Sequence, residues 1–310
     1  MSLWAVLSLG VSMLLMSATA LAQPLPQVTS GRIERLASFP SKHVDARHID
    51  VWLPEGYSTA KRYQVLYMQD GQMLFDPNIT TWNRPAWQVD QTLGRLIREG
   101  KVPDTLVVGI WNNGKLRHSE YFPQKFLPAV SPGFRRQFEA EYLQGRPQAD
   151  AYLRFIVEEL KPEIDRRYAT RSGKDGTFIM GSSMGGAISV YAMNEYPQVF
   201  GGAAGLSLAW VGMGKANFEL PLAAFQYLRE HLAPPDGRRL YMDHGDGDMD
   251  AWFSNYQAFV DEIVRDKGYD ASQWQTRRFP GTGHTEVDWA KRLEIPLAFL
   301  LSERHRAAPR

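Results

Sequence analysis

The run F-I-M-G-S-S-M-G-G at 178–186 constrains this chain more than any other stretch. An apolar segment, Thr177-Phe178-Ile179-Met180, stops abruptly at Gly181, and the small-residue start of a helix follows at Met184-Gly185-Gly186-Ala187-Ile188. Ser183 alone in this run has glycine two residues before and two residues after it. That is the G-x-S-x-G pattern of a serine at the tip of a sharp strand-to-helix turn. Its neighbours must lack bulk because the turn brings the strand and helix backbones together. Such a turn lifts Ser183 Oγ clear of the sheet and leaves the Met184 N–H, near the helix N-terminus, facing a developing oxyanion. Ser182 lies off the tip and is expected to pack or hydrogen-bond locally. Gly205-Leu206-Ser207-Leu208-Ala209 is a half match that lacks the second glycine.

The rest of the chain supplies the sheet that such a turn requires. Residues 31–53 alternate apolar and polar (Ile33, Leu36, Phe39, then Ile49, Val51, Leu53) and predict two antiparallel strands ended by the turn Pro54-Glu55-Gly56-Tyr57. Short apolar strands are predicted at 63–68 and 106–110, the latter continuous as expected for a strand covered on both faces. Helical spacing at 87–98 separates them. Residues 111–148 break the rhythm with Pro, Gly and scattered aromatics and read as an insertion over the sheet. A helix is predicted over 149–166, then the strand into the turn, a strand at 202–208, and an irregular segment at 209–236. A strand at 239–242, a helix at 252–267, a strand at 274–279 and a last helix at 287–300 complete the pattern. Alternating strands and helices imply an α/β sheet, mostly parallel, with antiparallel strands leading at one edge.

A serine hydroxyl is too weakly acidic to attack unaided; it needs a base, and the base needs an orienting carboxylate. On a strand–turn–helix serine these follow in the order Ser, Asp or Glu, His. Of the seven histidines, His284 and His305 lie late enough. His305 sits in a basic tail, R-H-R-A-A-P-R, suited to solvent. His284 sits in a glycine-rich loop between the last strand and last helix, and is the expected base. The acid is expected among Asp243, Asp246, Asp248 and Asp250, four aspartates in eight positions. Asp243 belongs to the strand end. Asp248 and Asp250 both lie far enough beyond it to reach back to His284; Asp250 is favoured, although it also stands where a helix N-cap would. An EF-hand reading fails for want of its spacing and its terminal Glu.

Residues 1–22 carry no charge and end in Ala20-Leu21-Ala22, which reads as a secretory signal peptide cut before Gln23. The absence of Lys or Arg at its start leaves an uncleaved membrane anchor as the alternative. One large domain is expected over 23–310. Its 35 basic and 34 acidic residues give no reason to expect nucleic acid or an anionic membrane as partner. With no cysteine there are no disulfides and no thiol nucleophile.

In combination, several stretches resemble the esterase family of α/β-hydrolases that includes esterase D, feruloyl and siderophore esterases and the mycolyltransferases. They are Ile49–Tyr57 (I-D-V-W-L-P-E-G-Y), Val65–Asp76 (V-L-Y-M-Q-D-G-Q-M-L-F-D), Gly181–Gly186, Met249-Asp250-Ala251, and Gly283-His284-Thr285-Glu286 with Trp289. The resemblance implies a serine esterase over nearly all of 30–302, with Ser183 as nucleophile and His284 as base. It implies the Gln72 N–H, after the Asp70-Gly71 pair, as second oxyanion donor beside Met184, and it favours Asp250 over Asp248. Gly245-Asp246-Gly247 departs from the Gly-Thr-Glu of many relatives. The expected product is an exported, periplasmic or secreted hydrolase of small-molecule carboxylic esters, needing no metal or organic cofactor and no stable membrane contact after cleavage. Acyl transfer on the same scaffold, or a non-catalytic binding protein derived from it, are the alternatives. Aromatics at 82, 87, 111, 121, 210 and 252 suit an aryl or sugar ester, though most are expected in the core.

Overall fold

The computed structural model describes residues 23–81 and 85–303. The expected signal peptide, Trp82 and His305 lie outside them. In chain order the elements are β1 (Arg32–Phe39), β2 (Arg47–Leu53), β3 (Gln64–Met68), α1 (Val89–Arg98), β4 (Thr105–Ile110), α2 (Arg117–Tyr121) and α3 (Pro132–Tyr142). There follow α4 (Ala149–Arg154), α5 (Lys161–Arg167), β5 (Thr177–Ser182), α6 (Met184–Glu195), β6 (Gly202–Leu206) and α7 (Glu219–His231). The chain continues with β7 (Arg239–His244), α8 (Phe253–Asp266), β8 (Trp274–Arg278), α9 (Glu286–Arg292) and α10 (Glu294–Leu301).

The strands form one eight-stranded sheet in the order β1-β2-β4-β3-β5-β6-β7-β8. β1–β2 and β2–β4 pair antiparallel, and every later pair is parallel. Successive side chains on the central strands go to opposite faces, because the strand period is two. Val65, Tyr67, Val108 and Ile179 join one apolar cluster with α4, α5, α6 and α7. Leu66, Met68, Val107 and Phe178 join a second with α1, α9 and α10. β3, β4 and β5 are buried along their whole length, which accounts for their unbroken apolar runs. The helix after the turn, α6, is buried from Met184 to Asn194 and is apolar on every side, as a central helix must be. β8, at the edge, ends in exposed arginines that discourage pairing with another chain.

Three segments differ from the sequence reading. Residues 209–236 are not irregular throughout: α7 buries Leu220, Ala223, Ala224, Tyr227 and Leu228, a helical spacing that Pro221 in its first turn obscured. The last helix is two, parted at Leu293. Pro296 accounts for the break, since its ring clashes with the carbonyl four residues back, at Arg292, where α9 ends. Between α4 and α5 the stretch Phe155–Leu160 widens into a π-helix just before Pro162, which cannot donate to the preceding turn. The insertion 111–148 is helical in large part, and one of its helices, α2, reaches the site described next.

Candidate active site

β5 ends at Ser182 and α6 begins at Met184, leaving Ser183 between them at φ 56°, ψ −127°. A non-glycine residue at positive φ is strained, and such strain clusters at functional sites. The close approach that demands glycine is visible. A Cβ on Gly181 would fall 2.7 Å from the Gly185 carbonyl, and one on Gly186 would fall 2.9 Å from Gly205 Cα. The Ser183 N–H donates to Leu206 O at 2.8 Å, and Ser183 O accepts from the Gly186 and Ala187 N–H groups. The turn is therefore held from both the helix and the neighbouring strand β6.

His284, in the loop between β8 and α9, bonds through Nδ1 to Asp250 Oδ1 at 2.7 Å. Asp250 is fully buried. Its other oxygen accepts from the Gly245 N–H at 2.7 Å and from Ser207 Oγ at 2.5 Å. Burial pushes the Asp250 carboxyl up, but the bonds from His284, Ser207 and Gly245 outweigh it and hold the group below the ordinary carboxylate value. A carboxylate only accepts, so His284 Nδ1 is the donor of this bond, and in the neutral ring that leaves the lone pair on Nε2. Two rings hold the imidazole edge-on: Trp289, with centroids 5.1 Å apart, and Phe253, 5.9 Å away.

The four clustered aspartates have four different surroundings. Asp243, fully buried at the end of β7, takes two bonds from Arg292. Asp246 accepts from the Gly281 N–H at 2.7 Å and from Arg278, tying its loop to the loop of His284. Asp248 is exposed, at φ 48°. Asp250 is the one bonded to His284, and it caps no helix, since α8 begins only at Phe253.

Ser207, in the half match, carries no catalytic pattern of its own, yet it belongs to this network. Its hydroxyl gives its proton to Asp250 and accepts from Trp289 Nε1 and Arg292 Nη2, both at 2.9 Å. The usable signal was its position, directly after β6 as Ser183 is directly after β5, and it shares the positive φ at 44°.

Ser182, Ser183 and His284 line one cavity of about 190 Å³ with Asp70, Met73, Trp87, Arg117, Glu286 and Trp289. Among the described residues there is no hydrogen bond between Ser183 Oγ and His284. Catalytic bonds are often long before a substrate arrives. Gln72 lies in the single turn Gly71–Met73 after β3, and Met184 is the first residue of α6. N–H groups at both places have no acceptor within their own helical turn, the condition for anion binding. Of the aromatics considered from sequence, Trp87 lines this cavity, whereas Trp210 lines a separate apolar cavity beside Met184. Tyr121 is fully buried, and Trp252 is partly exposed in a surface groove. Among the described residues no cluster of three or more His, Asp or Glu is arranged to hold a metal ion.

Residues 43–300 match the family model described as "Putative esterase". Among curated proteins, the uncharacterized protein YjcH of Bacillus subtilis (strain 168) is 25% identical over 175 residues. The match covers 56% of this chain and 60% of that protein, so the chain spans three-fifths of the relative's length. Among solved structures, a ferulic acid esterase superposes with a TM-score of 0.62 at 19% identity, over 87% of this chain and 97% of the other. The enterobactin esterase from Shigella flexneri, solved with enterobactin, gives a TM-score of 0.62 at 18% identity, over 89% and 60%. At these identities the structural likeness is one of fold.

Proposed function

The chain belongs to the esterase family whose model it matches, with the α/β-hydrolase fold of its structural neighbours, and from that premise we propose a hydrolase of carboxylic esters with Ser183 as nucleophile. His284 Nε2 takes the proton of Ser183 Oγ as the oxygen attacks the ester carbonyl. The carbonyl oxygen, now negative, receives the N–H groups of Met184 and Gln72. His284 then passes its proton to the departing alkoxide, and an alcohol leaves. Water enters, gives a proton to His284 and attacks the acyl-enzyme; collapse returns the proton to Ser183 and frees the acid. Asp250 holds His284 in the tautomer that keeps Nε2 free and stabilises the imidazolium when it forms.

The observation that carries this reading is the 2.7 Å bond between His284 Nδ1 and buried Asp250, with His284 on the wall of the cavity that Ser183 enters from a strained turn. Trp87 and Trp289 on that wall, 5.7 Å apart, suit an ester with a flat ring. The names of two structural neighbours, a ferulic acid esterase and an enterobactin esterase, set the first esters to try. A fluorophosphonate probe should label wild-type protein at Ser183, and Ser183→Ala should lose both labelling and hydrolysis of a p-nitrophenyl ester. His284→Ala should lose nearly as much, and the double variant scarcely more, because the two groups act as a unit. Losses that multiply, or a wild type that neither labels nor hydrolyses, would sink the proposal.

We further propose that the protein is exported, on the strength of the charge-free run at 1–22 and its Ala20-Leu21-Ala22 ending.

A further inference from the structure

The turn that carries Gln72 is held from outside itself. Asp70, which opens it, has φ 55° and ψ 49°, a left-handed conformation that aspartate tolerates better than most residues with a side chain because its carboxylate can be held by hydrogen bonds. Neither β3 nor the turn supplies a bond that would keep the Asp70 side chain there. The partners come from the segment after β4. Arg117 meets the Asp70 carboxylate with two parallel bonds, Nε to Oδ1 at 2.7 Å and Nη2 to Oδ2 at 2.8 Å. Asn112 Nδ2 adds a third at 2.7 Å to Oδ1. The Asn112 N–H donates to Gln72 Oε1 at 3.1 Å, so this one residue holds both ends of the Asp70–Gln72 step. The Asp70 N–H donates to Tyr121 OH at 3.2 Å. Behind the turn, a Cβ on Gly71 would fall 2.5 Å from the Gly109 carbonyl carbon, so the backbone is pressed against the end of β4.

We propose that Asp70, clamped by Arg117 and Asn112, is a positioning residue that fixes the Gly71–Met73 turn so that the Gln72 N–H points at the oxyanion. This rests on the esterase reading above and adds to it the device that sets one of the two oxyanion donors. The geometry favours this role over a purely structural one. Bidentate guanidinium–carboxylate pairing constrains orientation as well as distance, and Arg117 and Asp70 both line the cavity that holds Ser183. Misplacing a donor by about 1 Å, without removing it, is enough to slow an acyl transfer by about 10²-fold. Both halves of the reaction use the same oxyanion site, so loosening the clamp slows acylation and deacylation alike.

The test uses purified full-length protein and p-nitrophenyl acetate. Arg117→Ala should lower kcat by about 10- to 100-fold with KM held within about three-fold, because the lost interaction is one made in the transition state. The rate of fluorophosphonate labelling should fall in the same proportion, since phosphonylation also places negative charge on an oxygen at that site. Arg117→Lys, which keeps one charged bond, should recover part of the loss. The double variant Arg117→Ala/Asp70→Asn should be no slower than its worse single. If Arg117→Ala does not fold, Arg117→Lys and Asn112→Ala carry the test by the same criteria. A raised KM with unchanged kcat would make Arg117 a substrate contact and overturn the clamp; so would unchanged kinetics or multiplied losses. A wild type that neither hydrolyses the ester nor labels at Ser183 would remove the esterase reading itself, so the two failures are separable.

Discussion

At the scale of single residues, the contest between Asp248 and Asp250 shows how little spacing decides. Both stand at the same distance class from the strand end, and both are carboxylates in a polar loop. What separates them is burial and bonding. Asp250 is fully buried with three bonds, while Asp248 is exposed beside Gly283. If the Asp250 carboxylate sets the tautomer of His284, Asp250→Asn should lower kcat by about 10²–10⁴-fold. Asp248→Asn should stay within about three-fold of wild type. The reverse ranking, measured at matched folding stability, would move the acid role to Asp248; equal mild effects would leave a Ser–His pair acting without an acid.

At the scale of elements, α2 is the instructive case. Five residues are too few for a helix to persist alone, because nucleation costs more than so short a ladder returns. This one is pinned by its side chains. Arg117 pairs with Asp70, and Glu120 takes two 2.7 Å bonds from buried Arg47 of β2. Tyr121 OH accepts from the Asp70 N–H. Between these anchors His118 is partly buried, and desolvation, with Arg117 beside it, lowers its pKa from 6.5 to about 4. A histidine depressed in the fold binds fewer protons than the unfolded chain between these two values. Its stabilising contribution is therefore complete above about pH 6.5 and is lost as the pH falls toward 4. Between pH 7 and pH 5 the loss should be on the order of 1–2 kcal/mol, discounted for partial exposure. Urea unfolding of wild type and His118→Phe at both pH values checks this. The variant should show a smaller drop by that amount, and equal drops would mean that His118 titrates normally in the fold.

At the scale of the whole molecule, the sheet separates two apolar layers, and the proposed site lies where strand ends and loops from both layers meet. Contributions come from the ends of β3, β5, β6 and β7, from the loop before α9, and from the insertion at 111–148, whose Asn112 and Arg117 bond to Asp70. The chain is tied to this body from its first described residues: Arg35 donates to the carbonyls of Gln23 and Pro24, and Asp76 accepts from the Gln27 N–H. Cleavage after Ala22 would leave those ties in place. Mass spectrometry of the exported protein should accordingly find Gln23 as its first residue, and a product that retains Met1 would overturn export by a cleaved signal.

The features legible in the sequence are the ones that depend on near neighbours. Alternation marks β1 and β2, continuous apolar runs mark β3, β4 and β5, and the glycines around Ser183 mark the turn, because each is imposed by atoms a few residues away. Chain order singled out His284, since it reflects how strands follow one another in the sheet. Local pattern did not reveal the helix α7, where Pro221 masks the period, or the break at Leu293, where Pro296 acts from a position that also suits a first turn. It also had no access to Ser207 beneath Asp250, or to Arg117 and Asn112 upon Asp70. These contacts join residues 43, 47 and 42 positions apart. The side chains qualify equally well for solvent until packing removes the water that would otherwise satisfy them. Only the closed fold, by burying a carboxylate and leaving one set of donors within reach, decides which partners it takes.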